Sequence, residues 1–519
     1  MGKEEYQTSA GESVDVCFLL EGTYPYIRGG VSSWVHQMLT EAPGLTFGLF
    51  FIGSQREQAK EYLYDLPANV KVVKEVFLYD VFSPEERESP VLKSGMLEDL
   101  FQSQSSIYLE TDQQLRVQHF WDWLERLDQC AAKVTFGHLT RSPESWDLIH
   151  RVVNRYLAED PFTSIYYTWV YLHAPVWKLI LARDKIPKAK VYHTLCTGYA
   201  GLAGSIASRA YGVPLLVSEH GVYVKERIEE INHARWIHDP GNGFPSVDAG
   251  LAPLKRAWVE MFTLLGMLAY TQAQTVTTLF SRNRQLQIEM GCPADKLRII
   301  PNGVDPTPYV KAREERTKRL AKKAPRVVGF IGRIVSIKDV KTLIRAMGIV
   351  REQIPDVCLK LIGPTEEEPS YFEECMNLIE LLGLENVIEI TGRQNVLDVI
   401  STIDVMVLTS ISEGLPFVIL EGYAAGIPTV ATDVGSCREL IFGNEPEDRK
   451  IGAGGRLTKI GSPEATAQGL FELLSDPELL QRAGEAGFER LNRFYLEEEV
   501  METYRNLYRD LIDQSGGGN

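Results

Sequence analysis

The sequence predicts an α/β protein of two Rossmann-like domains, and three observations carry that reading. At 519 residues the chain is too long for a single hydrophobic core. Short apolar strand patterns alternate with helical patterns through both halves. Polar residues gather directly after several of those strands, at the edge where open α/β sheets bind ligands. The expected layout is an N-terminal domain over 1–305 with a helical insertion at about 80–149 and a C-terminal domain over 306–492. A terminal helix that crosses back and a disordered tail occupy 493–519.

Charged content of 24% and hydrophobic content of 44% suit a soluble globular enzyme. A net charge of −16 argues against whole-surface affinity for nucleic acid or anionic lipid. Seven cysteines, at 17, 130, 196, 292, 358, 375 and 437, form no C-x-x-C pair and no zinc-ligand spacing. They read as reduced thiols of a cytoplasmic protein. The first residues lack the apolar stretch of a signal peptide. The longest uncharged run, 261–281, turns polar in its second part, which favours a buried helix over a membrane span.

In chain order, residues 14–20 form a buried-strand pattern and 21–26 a loop. Gly29 and Gly30 then lead into a helical pattern at 32–39. Adjacent glycines let backbone N–H groups approach an anion at a helix N-terminus, although a plain turn reads the same way. Strands follow at 45–52 and 70–73. The 80–149 stretch shows loop and helix signals only, and Phe120, Trp121 and Trp123 fit a local core. Strand patterns resume at 165–169, 190–194 and 214–218. Gly198, Gly201 and Gly204, between the last two, suit a helix packed tightly on a sheet. Glu219, His220, Gly221 and Tyr223 form a polar cluster at the carboxyl end of the 214–218 strand. All nine histidines precede Pro240, so any imidazole chemistry comes from the first half, and His220 is the best placed. The competing reading is a satisfied structural histidine. Strands at 276–279 and 297–300 close the domain, followed by the turn residues of 301–306 and a charged surface run at 311–323.

The second half alternates regularly. Strands are expected at 327–331, 357–362, 387–390, 405–408 and 429–432, with helices at 340–353, 371–382, 396–402, 416–425 and 438–442. Two helices are expected in 463–491, an amphipathic helix at 494–512 and disorder over 514–519. After the first strand, Arg333 and Lys338 place a guanidinium and an ammonium near a strand end. Such a pair can neutralise a diphosphate without a metal, Arg by its planar fork and Lys as a point charge. After the strand at 404–409 come Glu413, Gly414, Leu415, Pro416 and, further on, Glu421. Gly414 permits a tight turn and Pro416 suits the first turn of a helix. That puts Glu413 in a loop at the strand's carboxyl end and Glu421 within the following helix. A capped, solvated helix start with two unrelated glutamates is the bland alternative.

Absent motifs narrow the chemistry. No Asp-x-Asp occurs, so the metal-chelating carboxylate pair common in nucleotide-sugar enzymes is missing. Neither a phosphate-binding P-loop nor a strand-to-helix G-x-G-x-x-G nor a hydrolase G-x-S-x-G is present.

Glu413 and Glu421 with seven residues between them, Arg333 and Lys338, Gly29-Gly30 and the 301–305 turn together resemble the retaining GT-B glycosyltransferases of the sucrose-synthase-like family 4. The resemblance spans nearly the whole chain outside the 80–149 insertion. More narrowly, the loop at 21–25 and the cluster at 218–223 resemble the glycosyltransferases of Pel exopolysaccharide synthesis in biofilms. The resemblance implies a hexosyltransferase using a UDP-sugar donor (UDP-glucose or a UDP-N-acetylhexosamine) and a polysaccharide acceptor. It implies no cofactor, metal or nucleic acid, and a cytoplasmic location, peripheral at the inner membrane through membrane-embedded synthase subunits. Arg333 and Lys338 would hold the donor diphosphate, Glu421 the ribose and Glu413 a donor-sugar hydroxyl. Gly29 and Gly30 would admit backbone close to the phosphates, and His220 would touch the donor sugar or line the acceptor side. Asn395 and Val396 would meet the base, with Gly414 and Leu415 among the nucleotide-sugar contacts. Many relatives carry Gly-Gly where this chain has Val434-Gly435-Ser436, which leaves that loop outside the expected site. The alternatives are a UDP-sugar epimerase of the same architecture and a non-catalytic UDP-sugar-binding scaffold.

Overall fold

The computed structural model describes residues 13–58, 61–80, 95–130, 133–156, 160–239, 251–322 and 326–516. Two compact units emerge. The first comprises Met1–Thr278, Gln285–Arg298 and Arg505–Asn519, and the second Leu279–Arg284 and Ile299–Tyr504.

The first unit holds a seven-stranded sheet of β1 (Val14–Glu21), β2 (Phe47–Gly53), β3 (Val70–Phe77), β4 (Ala189–Thr194), β5 (Leu215–Glu219), β6 (Thr275–Thr278) and β7 (Leu297–Ile299). Their order is β3-β2-β1-β4-β5-β6-β7. Pairing is parallel from β3 through β6. β2 is buried along its full length, as expected of a strand covered on both faces. Helix Tyr199–Tyr211 packs closely through its glycines: a Cβ on Gly204 would stand 2.8 Å from Leu215 of β5, and one on Gly201 3.1 Å from Ala269 of the neighbouring helix Pro253–Gln272.

Between β3 and β4 the chain forms helices Met96–Leu109, Gln113–Cys130, Phe136–Arg141, Pro143–Tyr156 and Phe162–Leu181. Phe120, Trp121 and Trp123 are buried there, as expected of a local core. One expected strand is absent. Residues 165–169 belong to helix Phe162–Leu181, so the helical region runs well past 149. Five aromatic and β-branched residues in a row mimic a strand. Over the longer window Ile165, Trp169, Leu172, Val176 and Ile180 bury one face at helical spacing. All nine histidines and all eight tryptophans of the chain lie in the first unit.

The second unit has a six-stranded sheet of β8 (Val327–Ile331), β9 (Cys358–Ile362), β10 (Ile388–Gly392), β11 (Val405–Leu408), β12 (Thr429–Thr432) and β13 (Gly455–Thr458). The order β10-β9-β8-β11-β12-β13 is entirely parallel. β13 was not anticipated, because its four residues, Gly455, Arg456, Leu457 and Thr458, carry little apolar signal. The 311–323 run is not wholly surface either. Arg316, on helix Val310–Leu320, is buried and donates to the carbonyls of Ile403 (3.2 Å), Gly426 (2.8 Å) and Asp404 (2.9 Å).

The terminal helix Glu497–Gly516 outlasts its expected end. Residues 514–516, expected to be disordered, are helical, and 517–519 lie outside the described residues. From Arg505 onward it belongs to the first unit, where Arg505 donates to the Glu41 carbonyl (2.9 Å) and the Tyr508 hydroxyl meets His193 Nδ1 (2.7 Å).

Candidate active site

In each sheet the strand order reverses beside the first strand, β1 against β4 and β8 against β11. Chains leaving those neighbours diverge to opposite faces and open a crevice at the carboxyl edge, where such sheets bind ligands.

In the second unit, Arg333 and Lys338 follow β8, while Ser410 and Glu413 follow β11. Lys338 Nζ lies 2.5 Å from Glu413 Oε1, and the Ser410 hydroxyl donates to the same oxygen at 2.6 Å. Both charged side chains are largely shielded, at 20% and 12% exposed. Backbone contacts fix this meeting: Ile411 N–H donates to the Ile337 carbonyl (2.9 Å), and the Thr409 hydroxyl to the Lys338 carbonyl (3.0 Å). Asp339, next in the chain, has φ 43°, the one positive φ outside glycine among the described residues. Its carboxylate caps helix Val340–Gln353 by accepting from Thr342 N–H (3.3 Å) and hydroxyl (2.6 Å). The cap holds a left-handed residue that would otherwise be strained, and so sets the turn that aims Lys338. Arg333 is more open, 55% exposed and paired with Glu367 at 2.8 Å.

Pro416 stands at the N-cap of helix Phe417–Ala424 with ψ 108°, one position outside the expected first turn. Glu421 lies inside that helix, as expected. Burial raises its carboxyl above the usual range, and a hydrogen bond from the Tyr309 side chain partly offsets this. Leu415 is buried and the Gly414 carbonyl accepts from Ser436 N–H (3.0 Å), so any ligand contact from this pair is confined to backbone atoms still free. Asn395 N-caps the short helix Val396–Val399 after β10.

Sequence reasoning missed three participants. Ser410 precedes Glu413 by one helical spacing but has no motif of its own. Tyr309 reaches Glu421 only through the fold. The Val434-Gly435-Ser436 loop, set aside for lacking a double glycine, packs against Glu413 and Gly414. Gly435 has φ 53°, and a Cβ there would stand 2.3 Å from the Glu413 carbonyl oxygen. One glycine suffices for that approach.

In the first unit, Gly29 and Gly30 follow β1 and open helix Gly30–Glu41, with Gly29 at the N-cap. A Cβ on either would meet nothing within 4 Å. His220, just beyond β5, stands edge-on to Trp34 of that helix, ring centroids 5.2 Å apart. Its Nε2 is shielded and has no hydrogen-bond partner among the described residues, and burial lowers its pKa to about 4. It is therefore a neutral imidazole with one ring nitrogen unspent. Neighbouring Glu219 is spent, accepting from Thr197 (3.1 Å), Tyr223 N–H (3.0 Å), Tyr270 (2.5 Å) and Gln287 (2.7 Å). Among the described residues no three His, Cys, Asp or Glu side chains converge as a metal-ligand set, and no helix is long and apolar enough to cross a membrane.

Comparison with known proteins agrees with this layout. Residues 14–295 match the family described as a domain of unknown function (DUF3492), and residues 311–490 match glycosyl transferases group 1. The putative glycosyltransferase EpsD of Bacillus subtilis is 33% identical over 177 residues, which is 34% of this chain and 43% of that protein. The alpha-maltose-1-phosphate synthase of Mycolicibacterium smegmatis is 26% identical over 333 residues, 60% of this chain and 78% of that protein. Among solved structures, Anabaena HepE in complex with UDP superposes with a TM-score of 0.57 at 15% identity, covering 96% of this chain and all (100%) of that one. Sucrose-phosphate synthase from Thermosynechococcus elongatus gives 0.56 at 16% identity, covering 96% and 100%. Two parallel α/β sheets of this order, the strand-end cations and carboxylates and the group 1 match across the second unit have one common reading: the chain has the GT-B fold, it belongs through residues 14–295 to the DUF3492 family, and its second unit carries a domain that matches glycosyl transferases group 1.

Proposed function

We propose that the protein transfers a hexose or N-acetylhexosamine from a UDP-sugar to a growing exopolysaccharide, with retention and without a metal. In this it would act like PelF, the cytoplasmic glycosyltransferase of Pel synthesis. The reading places it in the cytoplasm, held at the inner membrane by membrane-embedded synthase subunits. The observation that carries the proposal is the meeting of Lys338 and Glu413 at the β8/β11 switch point, with Arg333 following the same strand β8. HepE, which shares the fold, is itself described in complexes with UDP and with UDP-glucose.

As the bond between the anomeric carbon and the β-phosphate oxygen breaks, negative charge grows on the phosphate and positive charge on the sugar. Arg333 and Lys338 are preorganised cations for the first of these. Glu413 holds a sugar hydroxyl and Glu421 the ribose. The acceptor hydroxyl then bonds to the anomeric carbon from the departing face, and its proton passes to the leaving phosphate.

Because two side-chain cations serve the diphosphate, transfer rates in EDTA should equal those in Mg²⁺ or Mn²⁺. A rate abolished by EDTA and restored by either ion would end the metal-free reading. Product analysis with no acceptor present separates the alternatives, since conversion of the donor to its epimer would mean an epimerase.

The two glycines give a second test. A Cβ on Gly30 would meet nothing within 4 Å, so Gly30→Ala should keep or raise the stability, by up to about 1 kcal/mol, read as an unchanged or higher melting temperature. If those amides approach an anionic ligand, the same variant should lose transfer activity. Parental rates in a stable Gly30→Ala protein would remove Gly29 and Gly30 from the site.

A further inference from the structure

The helical region between β3 and β4, together with helix Pro253–Gln272, encloses a cavity of about 320 Å³ that no donor-site residue lines. Five helices contribute to its wall, which is mostly apolar, with Ile149, Val152, Ile165, Trp169 and Met261 facing it. The volume falls at the small end of ligand pockets, about 300–1,000 Å³.

Its polar groups divide into spent and unspent. His173 Nδ1 lies 2.7 Å from the Trp169 carbonyl, which requires Nδ1 to carry the proton, so Nε2 accepts from the Tyr108 hydroxyl at 2.5 Å. Glu110 accepts from the N–H groups of Thr111 (2.7 Å) and Asp112 (2.9 Å). Arg116 differs. Its side chain is 8% exposed, Nε donates to the Ile107 carbonyl (3.1 Å), and among the described residues its charge is met only by Glu260 at 3.4 Å. Charge-assisted contacts are normally about 2.7–2.9 Å, so this pair is loose. Glu260 is itself half in solvent, and a buried cation is costly without a close counter-charge. Arg256 adds a second guanidinium to the same lining, donating to the Leu251 carbonyl (3.2 Å).

We propose that this cavity binds an anionic amphiphile, its apolar body among Val152, Ile165, Trp169 and Met261 and its phosphate or carboxylate head on Arg116 in place of Glu260. An alkyl or isoprenyl phosphate and a fatty acid share this chemistry.

Calorimetric titration of the full chain with dodecyl phosphate and dodecanoate below their micellar concentrations, and with dodecanol below its solubility limit, tests it. The anionic probes should give a single saturable isotherm, and dodecanol should bind at least about ten-fold more weakly. The tighter of the two anions names the head group. Arg116→Gln should cost the anionic probes about ten-fold while leaving dodecanol unchanged. Ala257→Phe, which fills the cavity, should abolish binding of all three. Glu260→Gln changes a half-exposed side chain and removes the competing carboxylate, so it should tighten the anionic probes; it keeps the test open if the buried variants do not fold. The proposal is overturned if neither anion saturates, if dodecanol binds equally well, or if Glu260→Gln leaves anion affinity unchanged or weaker.

Discussion

Lys338→Gln should lower the transfer rate about 10²–10³-fold, the usual effect of removing one preorganised electrostatic group from a charge-developing transition state. The ammonium is one-fifth exposed and already fixed against Glu413, so little reorganisation is needed when the phosphate charge grows. Glutamine keeps the approximate length and a donor for Glu413, and Ser410 continues to hold that carboxylate at 2.6 Å. Leaving the shielded carboxylate without its cation still costs stability, about 3 kcal/mol or less for this partly solvated pair. Steady-state rates must therefore be read beside the melting temperature. A folded Lys338→Gln protein working within ten-fold of the parent would take Lys338 out of the catalytic set.

The second large effect separates the two carboxylates. Glu421→Ala should weaken UDP binding about ten- to a hundred-fold, because a charge-assisted hydrogen bond is worth roughly 1.5–3 kcal/mol. Glu413→Ala should bind UDP nearly normally yet lose turnover and discrimination among donor sugars. Calorimetry with UDP on both variants decides: equal losses, or a loss confined to Glu413→Ala, would reverse the assignment. The pH dependence has a definite sign. Burial raises the Glu421 carboxyl above its ordinary value of 4.5, so the folded protein takes up this proton at a higher pH than the unfolded chain. As pH falls through that raised value, the carboxylate needed for ribose is lost and UDP affinity drops. Over the same interval the buried group becomes neutral and its burden on folding is relieved. Glu421→Gln should therefore bind UDP weakly but with a flatter pH profile.

Apart from β13, the strands of both sheets were legible because each is a short apolar run between turn residues, and β8, β11 and β12 could be read within a residue of their ends. The errors came where a short window outweighs the longer period. Residues 165–169 read as a strand until the spacing out to Ile180 is weighed, and Gly455–Thr458 pairs as a strand with little hydrophobicity to announce it. At the site, Glu413, Glu421, Arg333 and Lys338 were visible because their spacing to strand ends is local. Tyr309 and Ser410 were not, since one reaches Glu421 from a distant turn and the other is an ordinary serine until the fold turns its hydroxyl to Glu413. Arg333's pairing with Glu367, 34 residues on, also lies beyond any local pattern.

The confinement of all eight tryptophans to the first unit makes the protein optically lopsided. Indole emission on denaturation reports the first unit's transition directly, while the second, rich in helix, registers in far-ultraviolet dichroism but contributes no indole signal. If the units melt separately, the two probes will give different midpoints, and a stability change from Lys338→Gln or Glu421→Ala belongs chiefly to the dichroism curve. Histidine proton resonances inherit the same bias, since every imidazole they could report on lies in the first unit.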